Sequence, residues 1–461
     1  MTSPDREQWG SKLGFILAAA GSAIGLGNIW RFPATVGLNG GAAFVLVYVA
    51  SVFIISSSIM IAEFAIGRHT QRNPVGAFNA IAPGTLWKYV GLLGVLTGWA
   101  ITSYYAVVAG WTVGYLFKTA MGQFSGTLTA DDVKETFASF AGDPLTVIAL
   151  LALFVILTMA ILLAGVRAGI ERWSKILMPV LLVLLVLLVV RSVTLPGASE
   201  GLSFYLEPDW GKLSMRNVLA AMGQAFFSLS LGMGTMITYG SYLSKKENLA
   251  SSAAWICSLD TAIALLAGLA IFPALFTVSG LEPTEGASLI FVVLPNVFNQ
   301  IPLGDLFGTG FFLLLAIAAL TSSISILVVP VAYFQDEKGW SRKKAVLVSG
   351  AFAFVLGIPS ALSFGGVGWL SNLFSIEDRT YGFLDMMNLL FGQYSLMIGS
   401  LSIALFVGWK WGIAGARLEI EQGNPAFKMK TVFAFLIRFL CPLAIASLLA
   451  YLVFVDPNAF A

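Results

Sequence analysis

Eleven apolar stretches, each long enough to cross a bilayer, constrain what this chain can fold into. A helix needs about 20 mostly apolar residues to span the hydrocarbon core. The stretches lie at 12–37, 40–67, 88–117, 144–164, 169–191, 215–242, 250–278, 305–335, 343–361, 381–409 and 431–455, spans 1 to 11 below. In lipid a backbone must satisfy its own hydrogen bonds, so apolar segments of this length are helices. The expected fold class is therefore an all-α polytopic membrane protein, with short linkers and a longest, polar one at about 119–143. Composition agrees: 58% of residues are hydrophobic and 11% charged, against about 25% charged in soluble proteins. The first run, 13–29, ends in Arg31-Phe32-Pro33 and not in a small-residue cleavage site, so it reads as a mature helix.

Several function classes drop out at once. A net charge of +2 offers no electrostatic case for a nucleic-acid partner. Cys257 and Cys441 sit in separate apolar stretches, without disulfide or metal-ligand spacing. The single histidine, His69, stands beside Arg68 and Arg72, where a solvated loop residue is expected. One histidine excludes a His-based metal cluster.

Positive charge sets the orientation, because cytoplasmic loops retain Lys and Arg. With the N-terminus in the cytoplasm, 19 of the 26 Lys and Arg fall on that side and six outside, the last being Arg31 within span 1. Eleven spans then place the C-terminus outside.

Ionisable groups inside spans are costly and mark functional positions. They are Arg31, Glu63, Asp260 and Asp385, with Asp336 at the inner end of span 8. Arg31 and Asp385 have no opposite charge within their own spans, so pairing across helices is expected. Glu63 reads equally well as a cap near the end of span 2.

Glycines interrupt two spans at corresponding places. Span 1 carries Gly21-Ser22-Ala23-Ile24-Gly25-Leu26-Gly27-Asn28 and span 6 carries Ser228-Leu229-Ser230-Leu231-Gly232-Met233-Gly234. Small-residue packing explains either alone. Two breaks five spans apart point to a binding site between inverted repeats: 12–191 (spans 1–5) and 215–409 (spans 6–10), with 431–455 as an added span 11. Unwound carbonyls and nearby hydroxyls suit a hard cation, and helix N-termini suit a carboxylate. A zwitterion with sodium satisfies both. Thr321-Ser322-Ser323 adds an oxygen cluster in span 8, unless its hydroxyls merely bond back along their own helix.

Trp9-Gly10, the run from Ala20 to Pro33, Asn39-Gly40-Gly41 with Ala43-Phe44, the run from Gln224 to Ser230 and Leu320-Thr321-Ser322-Ser323 together resemble the bacterial branch of the neurotransmitter:sodium symporters. The resemblance spans nearly the whole chain. It implies a leucine-transporter-like fold, a 5+5 inverted repeat with unwound helices 1 and 6, in a bacterial cytoplasmic (inner) membrane. It further implies two Na+ sites. One uses the Ala23 carbonyl, Asn28, Ser228, Asp260 and the substrate carboxylate. The other uses the carbonyls of Gly21, Ile24 and Ala318 with the hydroxyls of Thr321 and Ser322. The substrate would lie among Ser22, Ala23, Gly25, Leu26, Gly27, Tyr105, Phe227, Ser228 and Ser230. Ile101, Tyr105, Phe227, Met233, Ser322 and Ile326 would line its side-chain pocket. The family often has Thr where Ser228 stands; the hydroxyl is kept.

Amine carriers of the family place an aspartate at the position of Gly25, so here the substrate is expected to bring its own carboxylate. No acid or base lines the pocket, which implies bulky hydrophobic amino acids; glycine or alanine is the alternative. Chloride-dependent relatives have a serine where Ala264 stands and an asparagine where Asp260 stands, so chloride independence is implied. An emptied Asp260 would be a buried, unpaired carboxylate, relieved by a proton, hence possible proton antiport. Arg31, Gln224 and Asp385 would form an outer gate. Arg6, Trp9, Ser241, Tyr242 and Asp336 would form an inner one. Gly169 and Pro179 would let span 5 unwind. A channel would need a continuous polar pore, which these mid-membrane clusters do not make. The sequence contains no catalytic constellation, so no enzyme is expected. A non-transporting amino-acid sensor would keep the same site, and the oligomeric state is not encoded legibly.

Overall fold

A computed structural model describes residues 6–124, 128–277, 287–376, 379–423 and 427–456. Among the described residues, nine continuous helices are long and apolar enough to cross a membrane: Ala42–Thr70, Lys88–Ala120, Pro144–Leu163, Val166–Val193, Leu249–Phe276, Gly304–Lys338, Arg342–Ala361, Phe383–Lys410 and Lys430–Phe454. They correspond to spans 2–5 and 7–11. Span 1 is a bent pair, Lys12–Ala23 and Gly27–Leu38, with 51° between its halves. Span 6 is split into Met215–Ser228 and Thr235–Gly240. Among the described residues, eleven crossings are thus accounted for, and the two broken ones are those the glycines marked.

The breaks have different backbone causes. In span 1 the last helical amide bond runs from Ile24 to the Ala20 carbonyl, and Ile24 then turns extended. In span 6 the chain enters left-handed conformations at Ser230, Gly232 and Gly234. Such angles cannot continue a right-handed helix.

Packing sorts the helices into centre and rim. The most apolar stretch of span 8 is 83% buried within the protein and that of span 3 is 78% buried; those of spans 5 and 11 are only 28% and 33% buried. Spans 3 and 8 pack along one another beside the broken helices. Spans 5 and 11 turn their leucines and valines outward, as lipid-facing helices do.

The linkers are more structured than their polarity suggests. Within 119–143, Ala130–Gly142 is a helix started by a Thr129–Asp132 capping box. The segment between spans 7 and 8 is longer than that linker and carries the apolar helical stretch Leu289–Gln300. Its Phe291 stacks on Phe137 at 5.6 Å. A two-stranded antiparallel hairpin, Phe374–Ile376 with Arg379–Tyr381, leads into span 10.

Candidate functional site

The two breaks face each other, and side chains from other spans take up the backbone groups they free. At span 1 the Gly25 amide donates to Asn28 Oδ1 at 3.3 Å and the Leu26 amide to Tyr105 Oη at 3.2 Å. Ser230 Oγ, from span 6, donates to the Ser22 carbonyl at 3.0 Å. Gln224 Nε2 donates to the Gly27 carbonyl at 3.0 Å.

Oxygen clusters flank the break in span 1. In one, Asn28 Nδ2 donates to Asp260 Oδ1 at 2.8 Å, and Ser228 Oγ lies 2.9 Å from Asp260 Oδ2. Tyr48 Oη is 3.2 Å from both Ser228 Oγ and Asp260 Oδ2. In the other, Ser322 Oγ lies within 3.3 Å of the carbonyl oxygens of Gly21, Ser22 and Ile24. Thr321 Oγ1 is 3.0 Å from the Ala318 carbonyl. The expected back-bonding along span 8 therefore holds for Thr321, while Ser322 reaches across to span 1. Ser323 accepts from Thr158 on span 4 at 3.1 Å. Oxygen sets of this kind suit hard cations.

Gly25 sits between the clusters. A Cβ there would approach Ser322 Oγ to 2.5 Å and Tyr105 Oη to 2.8 Å. Only glycine leaves that space free. Among the described residues, Ser22 Oγ and Gln224 Oε1 are buried acceptors with no protein partner, groups that a bound ligand would satisfy. Ile101 lies one turn before Tyr105 and Ile326 one turn after Ser322, so each shares a helix face with a polar site residue. Both, with Met233, are buried.

A cavity of about 300 Å³ descends to this region from the face predicted to be outer. Leu26, Gly27, Tyr105 and Phe227 form part of its wall, and Arg31, Gln224 and Asp385 line it too. The Arg31 guanidinium stands over the Phe227 ring at 4.3 Å from its centroid. Asp385 accepts the Gly382 amide at 3.1 Å and closes the N-terminus of span 10.

The residues expected of the inner gate meet on the opposite face. Arg6 Nη1 pairs with Asp336 Oδ2 at 2.6 Å, and its Nε donates to Ser241 Oγ at 3.0 Å. Arg6 also covers the Tyr242 ring at 4.8 Å. Trp9 Nε1 donates to the Tyr239 carbonyl at 3.1 Å. Span 5 is helical through Pro179, and Gly169 lies in a wide π-helical turn at its start.

Tyr48 and Glu419 were not singled out from the sequence, and Glu63 and His69 take roles that only their neighbours define. Tyr48 was missed because a tyrosine in an apolar helix gives no signal until its neighbours are known. Glu63 caps the break in span 6, accepting the Gly232 amide at 2.8 Å. His69 is not merely solvated: it ends a helix, and its Nδ1 is 3.1 Å from Glu419. Glu419 also takes Arg68 at 2.6 Å and Lys245 at 2.9 Å, tying the ends of spans 2 and 6 to the helix Ile413–Gly423. Burial alone would push the Glu419 carboxyl up, but hydrogen bonds from Lys245 and Arg68 outweigh it and hold the group below its usual range.

The profile of the Sodium:neurotransmitter symporter family matches residues 6–132 and 142–459. This chain belongs to that family. A solved structure described as the crystal structure of MhsT in complex with L-phenylalanine superimposes with a TM-score of 0.87 at 46% identity, covering 96% of this chain and 99% of that one. The uncharacterized sodium-dependent transporter YhdH of Bacillus subtilis (strain 168) is 41% identical, covering 95% of this chain and 96% of its own. An uncharacterized sodium-dependent transporter of Haemophilus influenzae is 37% identical over 95% of this chain and 96% of its own. Symporter membership makes the protein a multi-pass membrane transporter that uses sodium, not an enzyme, with a leucine-transporter-like fold.

Proposed function

We propose that this symporter couples sodium entry to uptake of bulky hydrophobic L-amino acids by alternating access, in a bacterial cytoplasmic membrane with its N-terminus inside. The observation that carries this reading is Gly25, held side-chain-free between two oxygen clusters and next in the chain to Leu26 and Gly27, which line the cavity. The substrate carboxylate would take the Tyr105 hydroxyl and the amides released at the break. One sodium ion would lie among Asn28, Ser228, Asp260, the Ala23 carbonyl and the substrate carboxylate. A second would lie among Gly21, Ile24, Ala318, Thr321 and Ser322, with carbonyls and hydroxyls replacing its hydration shell. Residues 12–191 and 215–409 act as inverted repeats around this centre. The likeness to a structure with bound L-phenylalanine supports a large apolar substrate.

The gates give the cycle its direction. The Arg6–Asp336 pair closes one face while the cavity reaches the site from the other. Binding would draw Arg31, Gln224 and Asp385 over the substrate, and opening inward would break Arg6–Asp336 and loosen span 5 between Gly169 and Pro179. Asp260 supplies the fixed negative charge that a bound chloride supplies elsewhere, so transport is chloride-independent and Asp260 carries a proton back on the empty return. Chloride-stimulated uptake by wild type, or Asp260→Asn uptake indifferent to chloride, would count against this part.

Binding of radiolabelled tryptophan, phenylalanine, leucine, alanine and glycine to purified protein, in sodium and in potassium, tests the whole reading. Sodium-dependent binding of the large members supports it. Sodium-dependent binding of glycine or alanine alone keeps the symporter and overturns the pocket. Binding without transport or counterflow in vesicles would make the protein a sensor.

A further inference from the structure

The broken segment of span 6 is held by contacts from four spans. Gly399 of span 10 lies so close to Gly232 that a Cβ built on Gly399 would overlap the Gly232 carbonyl oxygen and stand 2.8 Å from its carbon. Gly94 of span 3 makes the same kind of approach: its Cβ would stand 2.7 Å from the Met233 carbonyl oxygen. Glu63 of span 2 holds the Gly232 amide at 2.8 Å. Span 1 meets the segment through Ser230 and Ser22. Span 10 is itself backed by spans 2, 3 and 11.

We propose that Gly399 is a specificity-determining backstop: its missing side chain lets the Gly232–Met233 backbone recede, and so sets how large a substrate side chain the symporter accepts. The inference rests on the proposed pocket around Met233. Non-bonded heavy atoms prefer separations of roughly 3.5 Å, so a methyl group at Gly399 must displace the Gly232 carbonyl by about 1.5 Å. Span 3 blocks one direction, and Glu63 tethers the amide. The segment yields toward the pocket, where Met233 then takes up room meant for substrate. Gly399 touches no reacting or binding group in this scheme; it acts through Gly232 and Met233.

The test is a dissociation-constant series for alanine, leucine, phenylalanine and tryptophan at saturating sodium, on wild type and Gly399→Ala. The expected result is a loss that grows with side-chain volume, with tryptophan weakened relative to alanine by about tenfold or more, the scale of one methylene in an apolar pocket. A purely structural defect would weaken all four alike, and that outcome, or an unchanged series, overturns the proposal. Should Gly399→Ala fail to fold, Gly94→Ala presses the adjoining carbonyl from span 3 and must show the same size-graded loss. Wild type binding no large amino acid would sink the substrate reading itself, and this inference with it. Wild type binding them while both variants keep the wild-type series would sink this inference alone.

Discussion

At the scale of single residues, the site depends on what is missing as much as on what is present. Gly25 leaves open the space beside Ser322 Oγ and Tyr105 Oη. Gly25→Asp would fill it and set a carboxylate where the substrate's own is proposed to lie, so sodium-dependent amino-acid binding is expected to vanish in a scintillation proximity assay. Tyr105→Phe removes one hydrogen-bonding hydroxyl while keeping the ring. A neutral hydrogen bond contributes about 0.5–1.5 kcal/mol, so substrate affinity should fall roughly 2- to 13-fold. Asp260→Asn removes the only charge in its cluster; hydrogen bonds to charged groups contribute about 1.5–3 kcal/mol, so the sodium requirement should rise by roughly tenfold or more in a sodium titration of binding. Tyr48 contacts the same carboxylate. The sequence offered Ser228 through a motif and Asp260 as a charge inside a span, but a lone tyrosine in span 2 acquires meaning only from neighbours 180 and 212 positions away.

At the scale of elements, helix ends carry the cytoplasmic architecture. Glu171, at the start of span 5, accepts the Gly10 amide at 2.6 Å and the Ser11 hydroxyl at 2.8 Å, capping span 1. Glu7, ahead of span 1, accepts the Val166 amide at 2.8 Å and the Arg167 amide at 3.2 Å, capping span 5. A carboxylate at a helix N-terminus meets unpaired amides and the positive end of the helix dipole. The two caps are reciprocal, so loosening one helix loosens the other. Glu171→Gln should raise hydrogen exchange in residues 10–16 and 166–175 together; a rise confined to one segment would argue against the coupling.

The Glu419 cluster makes a second tie of this kind. Hydrogen bonds from Lys245 and Arg68 hold its carboxyl below the ordinary glutamate value of 4.5 in the folded protein. The group therefore stabilises the fold fully above that value, and the contribution fades as pH falls below it toward the folded value. Glu419→Gln leaves buried Arg68 uncompensated, a loss of about 3–5 kcal/mol. The thermal midpoint should drop clearly at pH 7, and the gap to wild type should narrow below pH 4.5. Glycine interruptions made the broken spans legible, because unwinding is a local property. These caps were not, because each joins residues some 160 to 350 positions apart.

At the scale of the whole molecule, a cavity opens on one face while Arg6 and Asp336 pair on the other, as the proposed alternating-access cycle expects of one of its stations. A ligand that binds only the folded protein stabilises it by about 2.7 kcal/mol at a hundred times its dissociation constant. Sodium with phenylalanine, compared with potassium, should therefore raise the thermal midpoint, and phenylalanine without sodium should not. Asp336→Asn weakens the inner seal and should shift the population inward, seen as faster exchange in residues 6–12 with weaker substrate binding from outside.

The sequence alone determined the eleven spans, the two breaks, the charge asymmetry and the family motif. These are properties of short stretches, and a bilayer reads hydropathy and helix interruption locally. Tertiary structure alone decided which distant groups meet. Ser322 faces three carbonyls of span 1, Glu63 caps span 6, and Gly399 backs onto Gly232. The physical reason is range: burial and backbone preference are set within a few residues, whereas a hydrogen bond across the bundle exists only once the helices have packed.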